Sequence, residues 1–393
     1  MTPTPLDASA FDGAPLIDHH CHGVVEQVLD RPAFEDMITE SNWAAPSGTS
    51  VFDSQLGVAI RRWCAPVLDL EPHVSAERYL ERRAELAPEL VNERLLRAAG
   101  IDRYLIETGH RGDDILDPAG MAIRAGAAAD AVVRLERVAE QVIETGPAAA
   151  AYPDRFRAEL RDQLRLAVGV KSIAAYRIGL DFDPDRPDDG EVIRSTERWL
   201  AEIEAGAPVR ITDPVLIRFG IWCAVDERQA IQFHIGFGDP DVDLHRCDPL
   251  LLTEWLRRTR ESGARVLLLH CYPFHRQAGY LAHVFPHVFC DVGLAINYVG
   301  ARSPQVIAES LELTPFDKAL FSSDAWGLPE LYHLGAHLFR RGLRATIDEW
   351  IRADEWSAAD GERLIRKISG ENAIRAYGLA DEPAWRGATG VPA

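Results

Sequence analysis

The chain lacks most features that would take it out of the soluble globular class. No run approaches the roughly 18 consecutive apolar residues that span a bilayer, so no transmembrane helix is expected. The opening residues, MTPTPLDASAFDGAPLIDHH, place no basic stretch ahead of an apolar one, so no secretory leader is expected and a cytoplasmic protein is. Basic charge is in deficit: 42 Lys and Arg stand against 61 Asp and Glu, a formal charge of −19 with a pI near 5.1. Such a surface repels phosphate backbones and anionic lipid heads, which disfavours nucleic acid and membranes and leaves a small-molecule substrate as the expected partner. Cysteine is sparse, and Cys21, Cys64, Cys223, Cys247, Cys271 and Cys290 form no CxxC pair. That spacing excludes a zinc ribbon or disulfide framework and suits small buried thiols in a reducing compartment. Internal repeats and low-complexity tracts are also missing.

What is present is a large potential core, with 47% hydrophobic residues in 393. Eight short apolar runs each lead through polar or glycine-containing sequence into a helical pattern: 15–20, 102–107, 131–136, 167–173, 230–236, 265–270, 287–293 and 318–323. Eight strand-helix units in a row predict a (β/α)8 barrel, of which residues 1–393 form a single domain. A doubly wound open sheet competes, but its glycine-rich phosphate turn is absent after the first strand. Residues 24–100 exceed any strand-to-helix link and hold four amphipathic helical patterns. This insertion leaves from the end of the strand where barrel active sites lie, so it is either a lid or extra packing, a subunit interface included. Assembly into a homo-oligomer stays open. Residues 179–213 begin acidic and proline-rich without calcium-loop spacing, which predicts a solvated loop, and the tail after Leu379 is expected to fray.

Strand ends carry the chemistry. The first run closes in Asp18-His19-His20-Cys21-His22, and residues two apart in an extended chain project to one side, so His20 and His22 can reach one metal ion. With 13 histidines such spacing arises by chance often enough that position has to strengthen it. His234 ends the fifth run, His270 ends the sixth, and Asp324 follows the eighth, all at one barrel rim. Lys171, inside the fourth run, needs a reason to be buried: a salt bridge, substrate binding, or conversion by CO2 to a carbamate that bridges two metals. Tyr176 and Arg177 leave the same strand, where a guanidinium can grip a substrate carboxylate or form an ion pair with nearby aspartates. His110 and Trp326 occupy rim positions and are expected to be structural or to contact a lid.

These residues, together with the segments VKSIAAYRIGL, QFHIGFGDPDVDL, LLHCYPFHRQAGYLAHVFPHVFCDVG, LFSSDA and ISGENAIRAYGL, resemble the amidohydrolase superfamily. Within it they resemble the amidohydrolase-2 branch, in particular the amidohydrolase domain of FluG-type and nodulin-type proteins linked to glutamine synthetase. The resemblance implies that His20, His22, His234 and Asp324 bind a divalent metal, commonly zinc, with manganese or iron also open. It implies that His270 polarises the scissile carbonyl or acts as acid or base, and that Asp324 is both ligand and proton carrier. A two-metal form would use carbamylated Lys171 as bridge and both His234 and His270 as ligands; the one-metal form leaves His270 free and is preferred. The implied activity is hydrolysis of a C–N amide bond in a small carboxylate-bearing substrate, a γ-glutamyl amide being the suggested class. A nonoxidative decarboxylase of the same branch and a noncatalytic binding barrel are the alternatives.

Overall fold

A computed structural model describes residues 6, 10, 11 and 13–379, and at its centre is a parallel sheet whose strands follow one another in chain order. The strands are β1 (Ile17–Cys21), β2 (Arg103–Glu107), β3 (Ala128–Arg134), β4 (Ala167–Ser172), β5 (Ala230–His234), β6 (Arg265–Leu269) and β7 (Val288–Cys290). The eighth run is extended but makes only an isolated bridge, Ala319 to Cys290, with a second just past it from Gly327 to Val24. It nonetheless lies between β7 and β1. On one side the Leu320 N–H donates to Cys290 O at 3.0 Å, and on the other the His19 N–H donates to Phe321 O at 3.2 Å. The ring therefore closes as the sequence predicts, into a (β/α)8 barrel. Strand limits shift by a residue or two in most cases and more in two places. β3 begins at Ala128 and passes straight into the helix Leu135–Glu144, and β7 stops at Cys290 because Asp291 turns its carboxylate onto neighbouring N–H groups.

Each strand contributes to a layered interior, as alternation of side chains requires. The lowest layer is apolar: Ile17, Leu105, Val132, Ala230, Leu267, Phe289 and Leu320 form one buried cluster, with Val168 packed against it. The helix Asn372–Tyr377 plugs this end through Ala373, Ala376 and Tyr377. Two residues further along several strands the lining turns polar, with Glu107 after Leu105, Gln232 after Ala230 and Ser322 after Leu320. These polar groups are buried and hydrogen-bonded: Gln232 donates to His19 O at 2.9 Å and to the Tyr377 hydroxyl at 2.7 Å, and the Ser322 hydroxyl donates to Asp291 at 2.6 Å.

The insertion folds as its four amphipathic patterns predict: α1 (Arg31–Asp36), α2 (Gln55–Ala59), α3 (Ala76–Glu85) and α4 (Pro88–Ala99). Asp30, Ser54 and Ser75 cap the first three by accepting from N–H groups of the first turn. Their apolar faces belong to the core: Phe34, Leu56, Tyr79 and Leu95 share one cluster with Phe321, Leu334, Phe339 and Ile347. A buried ion pair reinforces the join, Arg83 Nε donating to Glu330 Oε1 at 2.8 Å and the Tyr79 hydroxyl to the same oxygen at 2.9 Å. Of the two readings of this stretch, packing describes the helices; residues 36–42 alone reach the cavity described below.

The acidic stretch near residue 180 is a solvated loop as expected, with Asp181 and Asp183 exposed while pairing with Arg246 at 2.6 Å and Arg218 at 2.7 Å. All six cysteines are free and buried, as expected. The tail after Leu379 lies outside the described residues. Among those described, no helix is long and apolar enough to cross a membrane.

The Arg83–Glu330 pair makes the anchoring of the insertion testable. Arg83→Met strands a buried carboxylate and is expected to cost about 3–5 kcal/mol in urea unfolding, most of it recovered in the double variant with Glu330→Leu. Equal losses in the single and double variants would show that packing, not the ion pair, carries the join.

Candidate metal centre

The strand ends converge on Asp324. Its carboxylate lies 2.9 Å from His20 Nε2, 3.8 Å from His22 Nε2 and 3.6 Å from His270 Nε2. His20, His22 and Asp324 each present a ligand atom, all within 4.8 Å of one another. His270 stands against His234 with ring centroids 4.4 Å apart, and Lys171 Nζ is 3.4 Å from His20 Nε2. Simple alternation would not bring so much of β1 to one place. Pairing with β2 slips between Asp18 and Cys21, and this bulge lets His19 and His20 both point into the barrel. Asp18 instead accepts from the Ser323 N–H at 2.9 Å and from its hydroxyl, clamping the Asp324 segment to β1.

Backbone conformation at the site is unusual. His270 has φ 44° and Asp324 φ 49°, left-handed values that side chains other than glycine and Asn or Asp seldom adopt. Each is held by hydrogen bonds: the Asp324 N–H donates to His20 O at 3.1 Å, and the His270 N–H donates to Asp291 Oδ1 at 3.0 Å. Asp291 also accepts from the Gly293 N–H at 2.7 Å, the Ser322 hydroxyl at 2.6 Å and His19 Nε2 at 2.9 Å. His19 Nδ1 lies 2.9 Å from the Tyr377 hydroxyl, so the C-terminal helix supports the position of His270 through three residues.

Electrostatics keep the imidazoles neutral and the carboxylate charged. Burial, with Lys171 adding to it, pulls His20 down to about 3. Burial also lowers His22, His234 and His270, as it does His110, which falls to about 3. Burial pushes Asp324 up, but His270, His20 and His22 outweigh it and hold the carboxyl well below its usual range. Lys171 is pulled down to about 8, chiefly by burial. Neutral imidazole and ionised carboxylate are the forms that ligate metal. Buried ring nitrogens without partners, His20 Nδ1, His234 Nε2 and His270 Nδ1 among them, add to a donor set of the kind a divalent cation takes.

The other expected residues line the same cavity of about 450 Å³. Tyr176 packs on His234 at 4.4 Å between ring centroids, and a Cβ on Gly238 would come within 2.1 Å of its hydroxyl. Arg177 approaches Glu140 at 3.5 Å, not the nearby aspartates, and its Nε and Nη1 have no partner. His110 stands edge-on to both His22 and Trp326, at 5.5 and 5.6 Å, so these rim residues wall the metal side.

The sequence reading missed Glu107, Arg134, His19, Asp291 and Glu40. Glu107 ends β2 and chelates Arg134 at the end of β3, with Arg134 Nε donating at 3.0 Å, and its Oε2 lies 3.4 Å from His22 Nδ1. Period two would have found Glu107 and Arg134, each two residues past an inward apolar side chain. No local signal marks Glu40, which arrives from the insertion.

The family profile described as amidohydrolase matches residues 17–379. The chain belongs to the amidohydrolase-2 family. It is 26% identical over 412 residues to the protein fluG of Emericella nidulans, a match covering 94% of this chain and 46% of that one. This chain thus spans about half the length of that curated relative. Among solved structures it is similar to a Lactobacillus casei ATCC 334 protein classed as a metal-dependent hydrolase. That pair has a TM-score of 0.82 and 29% identity, covering 95% of this chain and 98% of the other. Glucuronate isomerase from Caulobacter crescentus shares the fold, with a TM-score of 0.64, 13% identity and coverage of 96% and 94%.

Glu107 allows a pH test. Burial raises its carboxyl, but Arg134, His22 and the Gly109 N–H outweigh this and hold it at about 2, against an ordinary 4.5. A depressed carboxyl stabilises the fold above its unfolded pKa and loses that contribution as pH falls through the folded value. The stability gap between wild type and Glu107→Gln is therefore expected to narrow by about 3 kcal/mol as pH drops from about 4.5 toward 2. Urea unfolding across that range measures it, and a gap independent of pH would refute the assignment.

Proposed function

We propose that this protein is a divalent-metal-dependent hydrolase that cleaves the C–N amide bond of a small carboxylate-bearing substrate. The observation that carries the reading is the convergence of His20, His22 and Asp324 within 4.8 Å at the barrel mouth. His20, His22 and Asp324, with His234 beside His270, would hold the ion. Zinc suits such nitrogen and oxygen donors, and manganese or iron would also be accepted. When bound, the ion supplies Lewis acidity, acidifying water and polarising a carbonyl oxygen.

The chain's own residues supply the proton transfers and the positioning. Asp324, ionised and central, takes the proton of the attacking water and passes it to the departing nitrogen. His270, neutral and fixed through Asp291, is the donor for charge developing on the carbonyl oxygen. Arg177 offers two uncommitted nitrogens to a substrate carboxylate. One ion leaves His270 free for this work. A second would need Lys171 carbamylated and His270 as a ligand, so the one-ion form is the one proposed. A γ-glutamyl amide is the substrate class favoured by the resemblance to glutamine-synthetase-linked domains and by Arg177. Cytoplasmic action on a soluble metabolite accords with the acidic charge balance.

Asp324→Asn is expected to lower amide turnover by at least about a thousandfold while thermal unfolding shows a folded chain. Arg177→Met is expected to raise KM for carboxylate-bearing amides about tenfold or more, with a smaller change in kcat. Both are read from amine or ammonia release on a panel of γ-glutamyl amides. Release of CO2 from aromatic acids, with no amine release from any amide, would overturn hydrolysis in favour of decarboxylation.

A further inference from the structure

The polar lining of the cavity carries charge of both signs. In the sector after β3 and β4 stands Arg177, its side chain 8% exposed and two of its three nitrogens unpartnered. Arg210 lies near it but is engaged with Asp241 at 3.6 Å. In the neighbouring sector the loop after β5 brings Asp239, and further round, where the helix Gly293–Val299 after β7 meets the insertion, stands Glu40. Among the described residues neither of these carboxylates has an ion pair within 4.0 Å. The Tyr298 hydroxyl donates to Glu40, and Asp239 accepts only from the Asp241 N–H at 2.9 Å.

A cavity that sets a guanidinium with two unpartnered nitrogens near two carboxylates without ion pairs is complementary to a ligand carrying both charges. We propose that the site takes a zwitterion, its carboxylate on Arg177 and its ammonium between Glu40 and Asp239, with Glu40 a specificity-determining residue supplied by the insertion. Burial pushes Glu40 up to about 7, the Tyr298 hydroxyl opposing and the charges of Asp324 and Asp239 adding to it. An ammonium relieves that crowding, whereas an aliphatic chain in the same place would displace water from two carboxylates and give them no opposite charge. The insertion thus contributes chemistry as well as packing. This inference rests on the hydrolase reading for its place in a reaction, but it concerns binding and its test needs no turnover.

The test is calorimetric binding of hexanoate, 6-aminohexanoate and 2-aminohexanoate to the full-length protein as purified. At least one amino acid is expected to bind about tenfold or more tightly than hexanoate, and Glu40→Gln and Asp239→Asn are each expected to cut that preference below about threefold. Thermal unfolding confirms that each variant is folded, and two variants guard against one that is not. Equal binding of all three probes, or a preference that survives both substitutions, overturns the proposal. A clear preference in a protein that turns over no amide would uphold the zwitterion site and remove the hydrolase reading. Amide turnover without any preference would do the reverse.

Discussion

One buried carboxylate organises this protein. Asp324 is ionised at the closed mouth of a barrel, where an isolated anion would cost several kcal/mol in lost hydration. It is tolerable because His20, His22 and His270 surround it and Lys171 stands beyond His20. Burial keeps the imidazoles themselves neutral, so among these neighbours Lys171 is the group whose positive charge faces Asp324. His20, His22 and Asp324 together are a donor set of the kind a divalent cation takes. The backbone beneath is held in place, since both Asp324 and His270 sit in left-handed conformations locked by hydrogen bonds.

Those locks reach down the barrel in layers. The apolar floor of Ile17, Leu105, Ala230 and Phe289 is sealed by the C-terminal helix. From it the Tyr377 hydroxyl meets Gln232 and His19, His19 meets Asp291, and Asp291 holds the His270 backbone. The chain's last described helix is therefore tied to His270 through a chain of hydrogen bonds. Each residue in this column is hydrogen-bonded to the next, which lets a buried network give the mouth of the barrel a single geometry.

Much of this was legible in the residues. Eight apolar runs at helix-separated intervals led to the barrel, and His20, His22, His234, His270, Lys171 and Asp324 do gather at one end of it. Periodicity also located the four helices of the insertion. The remainder was hidden for physical reasons. The eighth run looks like any other strand, yet it makes only an isolated bridge because its backbone is shared between β1, β7 and the turn at Asp324. A bulge in β1 broke the simple alternation and brought in His19 as a support. Glu40 comes from residues far away in sequence, and nothing in PAFEDMITE separates a cavity-lining glutamate from a solvated one.

The insertion changes what the barrel can hold. Its helices are core, but the loop that follows α1 carries Glu40 over the metal residues and gives the cavity charge of both signs. All of this depends on Asp324 and its imidazoles being a metal site. The most direct measurement is elemental analysis of untagged protein purified without chelator, beside Asp324→Ala. The account requires close to one divalent ion per chain in the wild type and a large loss in the variant. A wild type that carries no metal and takes up none on reconstitution would contradict it.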